Sequence, residues 1–525
     1  MGYGGDMVAT AESFIYNFDM AQFYRKTVKD FINDQSPAGG MPEIAPNTGI
    51  IINGIGDGSG PLGWQLAFPF LQKQLYDFYG DKRIIERSYD SFAKQIEFIN
   101  SKTVDGLFHW DIGDHVALDT KDDAFAASCF YYEHVRIIAY FAEVLGRKED
   151  AIRYKKLAED IRQRIVKAHF LPGTGRYGNG TQSTQAFALY YNLSEENKKA
   201  AFDWLIKEYE RHNWHVATGI FSCKMAFDVF RTFGRNDLAG RLVSNKDYPG
   251  WGYMLEQGAT TLWESWEYPE NGSSQNHPMF GSTEEWFFRS LLGINSLSDA
   301  FKEIEIKPQP TNDLKWAKGS YSSIRGQISS DWSIEDGLMR LSVSIPANTS
   351  AVVYVPSLEG QMVETTSSLP RFLTWKDGYS VFEVPSGTYT FQVKREKSEV
   401  SLLVRADDMG SFKSANQAIL EVCTKGIARS IELMPCCDWF MDAVSSLNQP
   451  AYSNLDVGVH LMLTSEWDGV RWRPLTAGKS LVDRDGYFHP LIWKDAKRAG
   501  QSLSEHAWSL DEIEKEFRAQ IEMVK

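Results

Sequence analysis

Ala124-Phe-Ala-Ala-Ser-Cys-Phe-Tyr-Tyr-Glu-His-Val-Arg-Ile-Ile-Ala-Tyr-Phe-Ala-Glu-Val-Leu145 runs without a Gly or a Pro, and its apolar residues recur at helical spacing. The same period extends outward from about Phe14 to Leu292, in Met20 to Ile32, Trp64 to Tyr79, Ile84 to Ile99, Ala151 to Ala168, Ala200 to Glu210 and Thr283 to Leu292. Short Gly, Pro or Asn punctuation separates these segments. Close to a dozen helices in antiparallel pairs predict a toroid of helical hairpins. A stacked helical solenoid would need a fixed repeat period, and the sequence has none.

Beyond Gly293 the period falls to two. Glu303-Ile-Glu-Ile-Lys307, Leu338-Met-Arg-Leu-Ser-Val-Ser-Ile345, Ser350-Ala-Val-Val-Tyr-Val355 and Thr388-Tyr-Thr-Phe-Gln-Val393 read as strands of a β-sandwich. The charged stretch from Lys394 to Glu399 reads as a linker. A buried strand from Leu402 then leads into Arg405-Ala-Asp-Asp-Met-Gly410, with a helix predicted over Asn416 to Lys425. Strand, acidic turn and helix open an α/β domain, too short here for a complete barrel. The expected domains are therefore 1–294, 295–395 and 396–525.

With 525 residues the chain exceeds the size of a single growing core, which also predicts several domains. Sixteen Trp, 23 Tyr and 31 Phe exceed the needs of packing, and flat aromatic faces suit sugar rings. The net charge of −14 argues against nucleic acid or an anionic membrane as partner. No stretch reaches the roughly 20 apolar residues of a membrane span. The first residues lack the basic and apolar segments of a secretion signal, which leaves localisation open. Five cysteines, without paired spacing, predict no disulfide framework.

Chemistry concentrates between Gly258 and Gly293. Glu264, Glu267, Glu270, His277, Glu284 and Glu285 alternate there with Trp263, Trp266 and Trp286, and Trp251 lies just before. Glycoside hydrolysis needs one carboxylic acid to protonate the leaving oxygen and a second carboxylate to activate water or attack carbon. Tryptophans beside a Glu offer a stacking wall and an apolar setting that raises its pKa. The same run can also be a helix end with a solvated Glu.

The wording of this region is more specific. Glu256 to Trp266, Ser274-Gln-Asn-His-Pro-Met-Phe-Gly281 and Glu285 to Ile294 closely resemble glycoside hydrolase family 78, the bacterial α-L-rhamnosidases. So do Asn17-Phe-Asp-Met-Ala-Gln-Phe23, Met41-Pro-Glu-Ile-Ala-Pro46, Ile306-Lys-Pro-Gln-Pro310 and Ile345-Pro-Ala-Asn-Thr349, so that the likeness covers roughly residues 1 to 395. It implies an (α/α)6 barrel of the six-hairpin type followed by a β-sandwich, inverting hydrolysis of terminal α-L-rhamnosides, no cofactor for that reaction, and for many members a periplasmic or secreted setting. Its substrate would be a rhamnose-containing oligosaccharide or glycoside.

By the same resemblance Glu264 is the general base and His277 contacts substrate. Gly2-Tyr-Gly-Gly-Asp6 matches a Gly-Trp-x-Gly-Asp segment, with Tyr3 in the aromatic position and Asp6 the sugar-binding carboxylate. Trp64, Trp251, Trp263 and Trp266 complete the expected substrate wall. The family's general acid would fall about two residues before Met1, so slowed activity is expected. Trp110-Asp-Ile-Gly-Asp-His115 resembles a Gly-Asp-Trp segment, with Asp114 retained and His115 in place of Trp. Asp114 can equally cap a helix. Gln182 and Gln185 resemble residues of the barrel mouth, and Gln185 can instead satisfy buried backbone.

Near the C-terminus, Asp407 and Asp408 end one predicted strand and His460 lies in another, Val457-Gly-Val-His-Leu-Met-Leu-Thr464. Adjacent Asp residues are commonly just a turn. An Asp and a His at strand ends also suit a divalent metal that acidifies bound water. Leu403 to Gly410, Asn416-Gln-Ala-Ile419 and Val457 to Thr464 resemble the YdjC-like carbohydrate deacetylases, which have a distorted α/β barrel. That likeness implies Asp407 as base and Asp408 and His460 as ligands of Mg or Zn, the family's further ligand histidines falling beyond Lys525. Two alternatives to a rhamnosidase follow: a metal-dependent carbohydrate deacetylase, or a sugar-binding remnant without turnover.

Overall fold

The computed structural model describes residues 2–50, 53–267, 273–311, 314–394 and 403–525. By contacts the chain divides into two compact units, Met1–Lys397 and Ser398–Lys525. Most of the expected linker and the start of the strand expected at Leu402 lie outside the described residues.

In the first unit a ring of inner helices closes on itself. Gly4–Asn17 packs on Ala67–Tyr79, which packs on Asp123–Leu145, then Gln182–Tyr190, Ile220–Thr232 and Ser282–Trp286, which returns to Gly4–Asn17. Outer helices Ala21–Asn33, Lys82–Ser101, Lys148–His169, Lys198–Arg211 and Asn236–Ser244 alternate with them along the chain. The two sets differ in burial as this arrangement demands. Asp123–Leu145 buries residues all round, whereas Lys148–His169 buries the single stripe Ala151, Tyr154, Ala158, Ile161 and Ile165. This is the six-hairpin toroid expected from the sequence.

Three local departures have physical causes. The first inner helix begins at Gly4, ten residues before the helical pattern is legible, because paired glycines weaken the helix signal. The segment Trp64 to Tyr79 is two helices, Leu62–Gln65 and Ala67–Tyr79. Pro69 sits in the first turn of the second, where its missing N–H costs no hydrogen bond. The last inner helix loosens into a π turn at Phe287–Leu291.

Strands from Ile294 onward build the β-rich part. Leu338–Pro356 pairs antiparallel with Tyr379–Lys394 along almost its whole length. The two strands read separately at Leu338 and Ser350 are thus one. The turn-like Pro346-Ala-Asn-Thr349 is an irregularity in it: pairing jumps from Ser350–Pro385 to Ile345–Gly387, and Asn348 takes a left-handed φ of 60°. The strands from Ile294 to Lys394 belong to one eight-stranded sheet rather than to two separate sheets, and the helical ring and this β-rich part share one apolar core. The Tyr16 hydroxyl donates to the Ile294 carbonyl at 3.1 Å, and its ring stacks on Phe288 at 4.8 Å.

The second unit has three parallel strands in the order Arg405–Met409, Ser430–Leu433, Asp456–Val459. Helices Lys413–Lys425, Phe440–Leu447 and Leu510–Val524 accompany them. Among the described residues no helix is long and apolar enough to cross a membrane. The five thiols are unpaired, and all but Cys436 are buried.

Candidate active site

The segment leading into the first helix is pinned to Glu43–Ala45. Gly4 N–H donates to the Glu43 carbonyl and Ala45 N–H to the Gly2 carbonyl, both at 3.0 Å, and Tyr3 bridges Ile44. A β-carbon on Gly4 would stand 2.1 Å from the Trp64 carbonyl oxygen, and one on Gly5 2.6 Å from its indole. Glycine alone permits so close an approach. Asp6 follows directly in the first helical turn.

Asp6 meets the loop that precedes the last inner helix. Its Oδ1 lies 2.6 Å from Nε2 of His277. The loop is held by its own backbone: His277 N–H donates to the Leu262 carbonyl at 2.9 Å, and Glu264 N–H to the Ser274 carbonyl at 2.9 Å. Ser274 N–H donates back to Glu264 Oε2 at 2.8 Å. The hydrogen bond to Asp6 raises the pKa of His277 against the opposing effect of burial, and the charge of Glu264 adds to the rise. Nδ1 of His277 is buried with no hydrogen-bond partner among the described residues. Glu270 lies outside the described residues.

His115 joins this group from a third direction. Its ring stands edge-on to Trp64 at 5.2 Å, and burial holds its pKa below the usual imidazole value while Asp6 and Glu264 pull upward. Sequence reasoning noted His115 only as a lost Trp, although a titratable ring at that position was the available signal. Glu43 was also passed over. It is buried, Oε2 has no partner among the described residues, and burial raises its pKa.

The tryptophans expected to stack on sugar are mostly core. Trp266 is completely enclosed, packed between Trp251 at 5.0 Å and Phe280 at 4.0 Å, so it has no face to offer a ligand. Trp251, Trp263 and Trp64 are also buried, and Trp251 Nε1 donates to the Phe280 carbonyl at 3.1 Å.

Asp114 is likewise buried, and its oxygens accept from Ser183 Oγ (2.8 Å), Gly219 N (2.8 Å), Phe221 N (3.1 Å), Ser222 N (3.3 Å) and the Ser222 hydroxyl. It caps helix Ile220–Thr232 from a distant loop, in keeping with the capping role open to it from sequence. Gln182 bonds the backbone of His215 and Ala217, and Gln185 that of Tyr177.

Further along the first helix the ring interior is charged. Lys224 Nζ sits between Glu285 and Glu12, 2.9 Å from the latter, and Arg289 reaches Glu285 at 2.6 Å. Burial raises the pKa of Glu12 although Lys224 opposes it. A cavity of about 630 Å³ opens there, lined by Glu12, Tyr16, Gln74, Asp77 and Arg289 among others. Ten residues of helix, roughly 15 Å, separate Tyr16 from Asp6.

In the second unit Asp407 is exposed beside Arg405 at 3.5 Å. Asp408, at a left-handed φ of 67°, brings Oδ1 to 3.3 Å from His460 Nδ1, a buried atom with no hydrogen-bond partner among the described residues. His460 follows strand Asp456–Val459 rather than lying within it. Two donors face each other as a metal would require. Among the described residues, however, no group of three or more His, Cys, Asp or Glu gathers to hold an ion, whereas a zinc site takes three or four protein ligands. The two expected ligands, Asp408 and His460, are brought together, and among the described residues no third donor joins them.

Comparison with known proteins agrees with this architecture. Residues 1–291 match the bacterial α-L-rhamnosidase six-hairpin glycosidase domain, 293–369 the bacterial α-L-rhamnosidase C-terminal domain and 401–525 the YdjC-like protein family. A solved α-L-rhamnosidase from Dictyoglumus thermophilum is 30% identical with a TM-score of 0.71, over 75% of this chain and 46% of that one. One from Streptomyces avermitilis complexed with L-rhamnose is 28% identical with a TM-score of 0.70, over 75% and 38%. A Yersinia enterocolitica chitooligosaccharide deacetylase is 38% identical over 123 residues, 23% of this chain and 42% of the relative. The chain spans less than half the length of the curated rhamnosidases it matches. With the matched helical domain covering more than half of its residues, the chain belongs to the bacterial α-L-rhamnosidase six-hairpin glycosidase family.

Proposed function

We propose that this chain hydrolyses terminal α-L-rhamnosides with inversion, Glu264 acting as general base. The observation that carries the reading is the loop exchange between Glu264 and Ser274, which sets a carboxylate on the same loop as the Asp6-bonded His277. Glu264 takes a proton from water as the water oxygen bonds the anomeric carbon. The bond to the leaving oxygen breaks, that oxygen takes up a proton from solvent water, Glu264 returns its proton to solvent, and rhamnose departs as the β-anomer. Asp6 accepts hydrogen bonds from sugar hydroxyls and His277 donates one, while Tyr3 walls the ring. Trp64 and Asp114 hold this frame from behind, and the enclosed Trp251, Trp263 and Trp266 support the loop. The reaction needs only water. The complex of the Streptomyces avermitilis relative with L-rhamnose supports the choice of sugar.

An aryl α-L-rhamnoside tests the reading: the native chain should release the phenol and Glu264→Gln should not. Equal rates would remove Glu264 from the mechanism. A dinitrophenyl leaving group, which departs without prior protonation, gives the most sensitive assay of the base. A second reading, metal-dependent deacetylation by the second unit, is favoured by the Asp408–His460 pair at 3.3 Å. Chelator-sensitive release of acetate from a chitooligosaccharide tests it.

A further inference from the structure

One cavity of the helical ring plays no part in the proposed reaction. It measures about 630 Å³ and is lined by Tyr16, Asp77, Tyr140, Tyr190 and Asp228, which lie in the carboxyl-terminal parts of five inner helices, and by Arg289 from the π turn after the sixth. Asp6, by contrast, lies in the first turn of its helix. The carboxyl ends of the ring thus converge on this space. A helix carboxyl terminus carries about half an elementary negative charge and several unpaired carbonyls, so the far end of the ring attracts cations.

Each cationic side chain of the lining already faces a carboxylate. Lys73 pairs with Asp77, Arg136 with Glu133 at 2.9 Å, Arg231 with Asp228 at 2.6 Å and Arg289 with Glu285 at 2.6 Å. Two carboxylates remain. Asp299 and Glu305 line the same space and have no ion pair or side-chain hydrogen bond among the described residues. The Tyr190 hydroxyl, with Glu12, Glu133 and Asp228 around it, likewise makes no hydrogen bond among them, and burial raises its pKa so that it stays a neutral acceptor. Lys73 shows how this wall treats an ammonium: it lies 5.7 Å over the Tyr140 ring, and Asp77 accepts both from it and from the Tyr140 hydroxyl at 3.0 Å.

We infer that this cavity binds a linear polyamine, its ammonium groups held by Asp299, Glu305 and the Tyr190 hydroxyl and its methylene chain lying against the rings of Phe70, Phe78 and Tyr140. An ammonium group is drawn at once by carboxylates, by helix carboxyl ends and by aromatic faces. A neutral sugar gains nothing from the helix ends, and an anion is repelled by them. A hard divalent ion needs six or more oxygens about one point, and among the described residues no group of three or more His, Cys, Asp or Glu gathers to hold one. The volume is that of an ordinary small-molecule site. The inference stands independently of Glu264.

Calorimetry on the full chain with spermidine, with and without magnesium chloride at constant ionic strength, tests it. Spermidine should bind a single class of site, persist in magnesium and weaken as sodium chloride is raised. Asp299→Asn combined with Glu305→Gln should weaken binding about tenfold and Tyr190→Phe about threefold, whereas Glu359→Gln, at an exposed carboxylate of the β-rich part, should change nothing. Should the double variant lose its native circular dichroism, Tyr190→Phe decides. Absence of heat with spermidine, displacement by magnesium, an equal loss in Glu359→Gln or unchanged affinity in the folded cavity variants would each overturn the inference.

Discussion

Nε2 of His277 lies 2.6 Å from Oδ1 of Asp6, a bond that spans 271 residues and joins the first inner helix of the ring to the loop before the last. It makes the charge of one residue the property of another. Asp6→Asn should therefore lower the His277 pKa, which an NMR titration of the imidazole reads directly. In the native protein the folded-state value lies above the unfolded one. The pair's contribution to stability is thus complete below the usual imidazole pKa and is lost as pH rises through the raised value. The Asn variant should lose that slope, and its kcat/KM for an aryl rhamnoside should fall by about tenfold or more, a lost charge-assisted contact of about 1.4 kcal/mol.

Asp114 accepts five hydrogen bonds in a fully buried setting, so Asp114→Ala leaves several donors without partners. A loss of about 3–5 kcal/mol is expected, the scale for breaking a buried charged network. Chemical denaturation measures it. A variant with near-native stability and a selectively raised KM would make Asp114 a sugar contact instead.

Gly5→Ala puts a methyl against the Trp64 indole. The clash should cost about 1–3 kcal/mol and displace Asp6, so that both the melting temperature and kcat/KM fall. Gly146→Ala is the control: it strains a glycine of positive φ, but its methyl meets nothing within 4 Å and lies far from Asp6 in the chain. It should lower stability only.

Lys224→Met strands two carboxylates, Glu12 and Glu285, in the ring interior. Destabilisation of about 3–5 kcal/mol is expected. The deficit should shrink as pH falls toward the raised pKa of Glu12, because a protonated carboxyl no longer carries a buried charge. A deficit that is flat with pH would place the cost in packing alone.

Trp266→Phe separates scaffold from sugar wall. Because Trp266 is enclosed by Trp251 and Phe280, the variant should lose about 1–3 kcal/mol of stability with KM for an aryl rhamnoside unchanged.

The toroid was legible because its helices are long and strongly periodic, as in Ala124 to Leu145. The starts and kinks were not. Gly4 and Gly5 lay before the legible helical pattern because their reason for being glycine is Trp64, far along the chain, which no local pattern reports. Within the candidate site, residue type and wording pointed to Asp6, Glu264 and His277 but gave no distances, and they overstated the tryptophans. An indole flanking a Glu looks the same in sequence whether it faces a ligand or the core, and burial decides between them. A capping role for Asp114 was legible, but not that the helix it caps begins a hundred residues later.

Closure of the ring also sets when the site can exist. Asp6 leaves the ribosome long before its partner, which arrives only after five of the six inner helices have been made, and the ring is sealed by Ser282–Leu291 later still. Contacts of such sequence separation form slowly. A nascent chain stalled before His277 would carry nearly all of the helical scaffold and none of the paired site, so any rhamnosidase activity should switch on late and abruptly during synthesis.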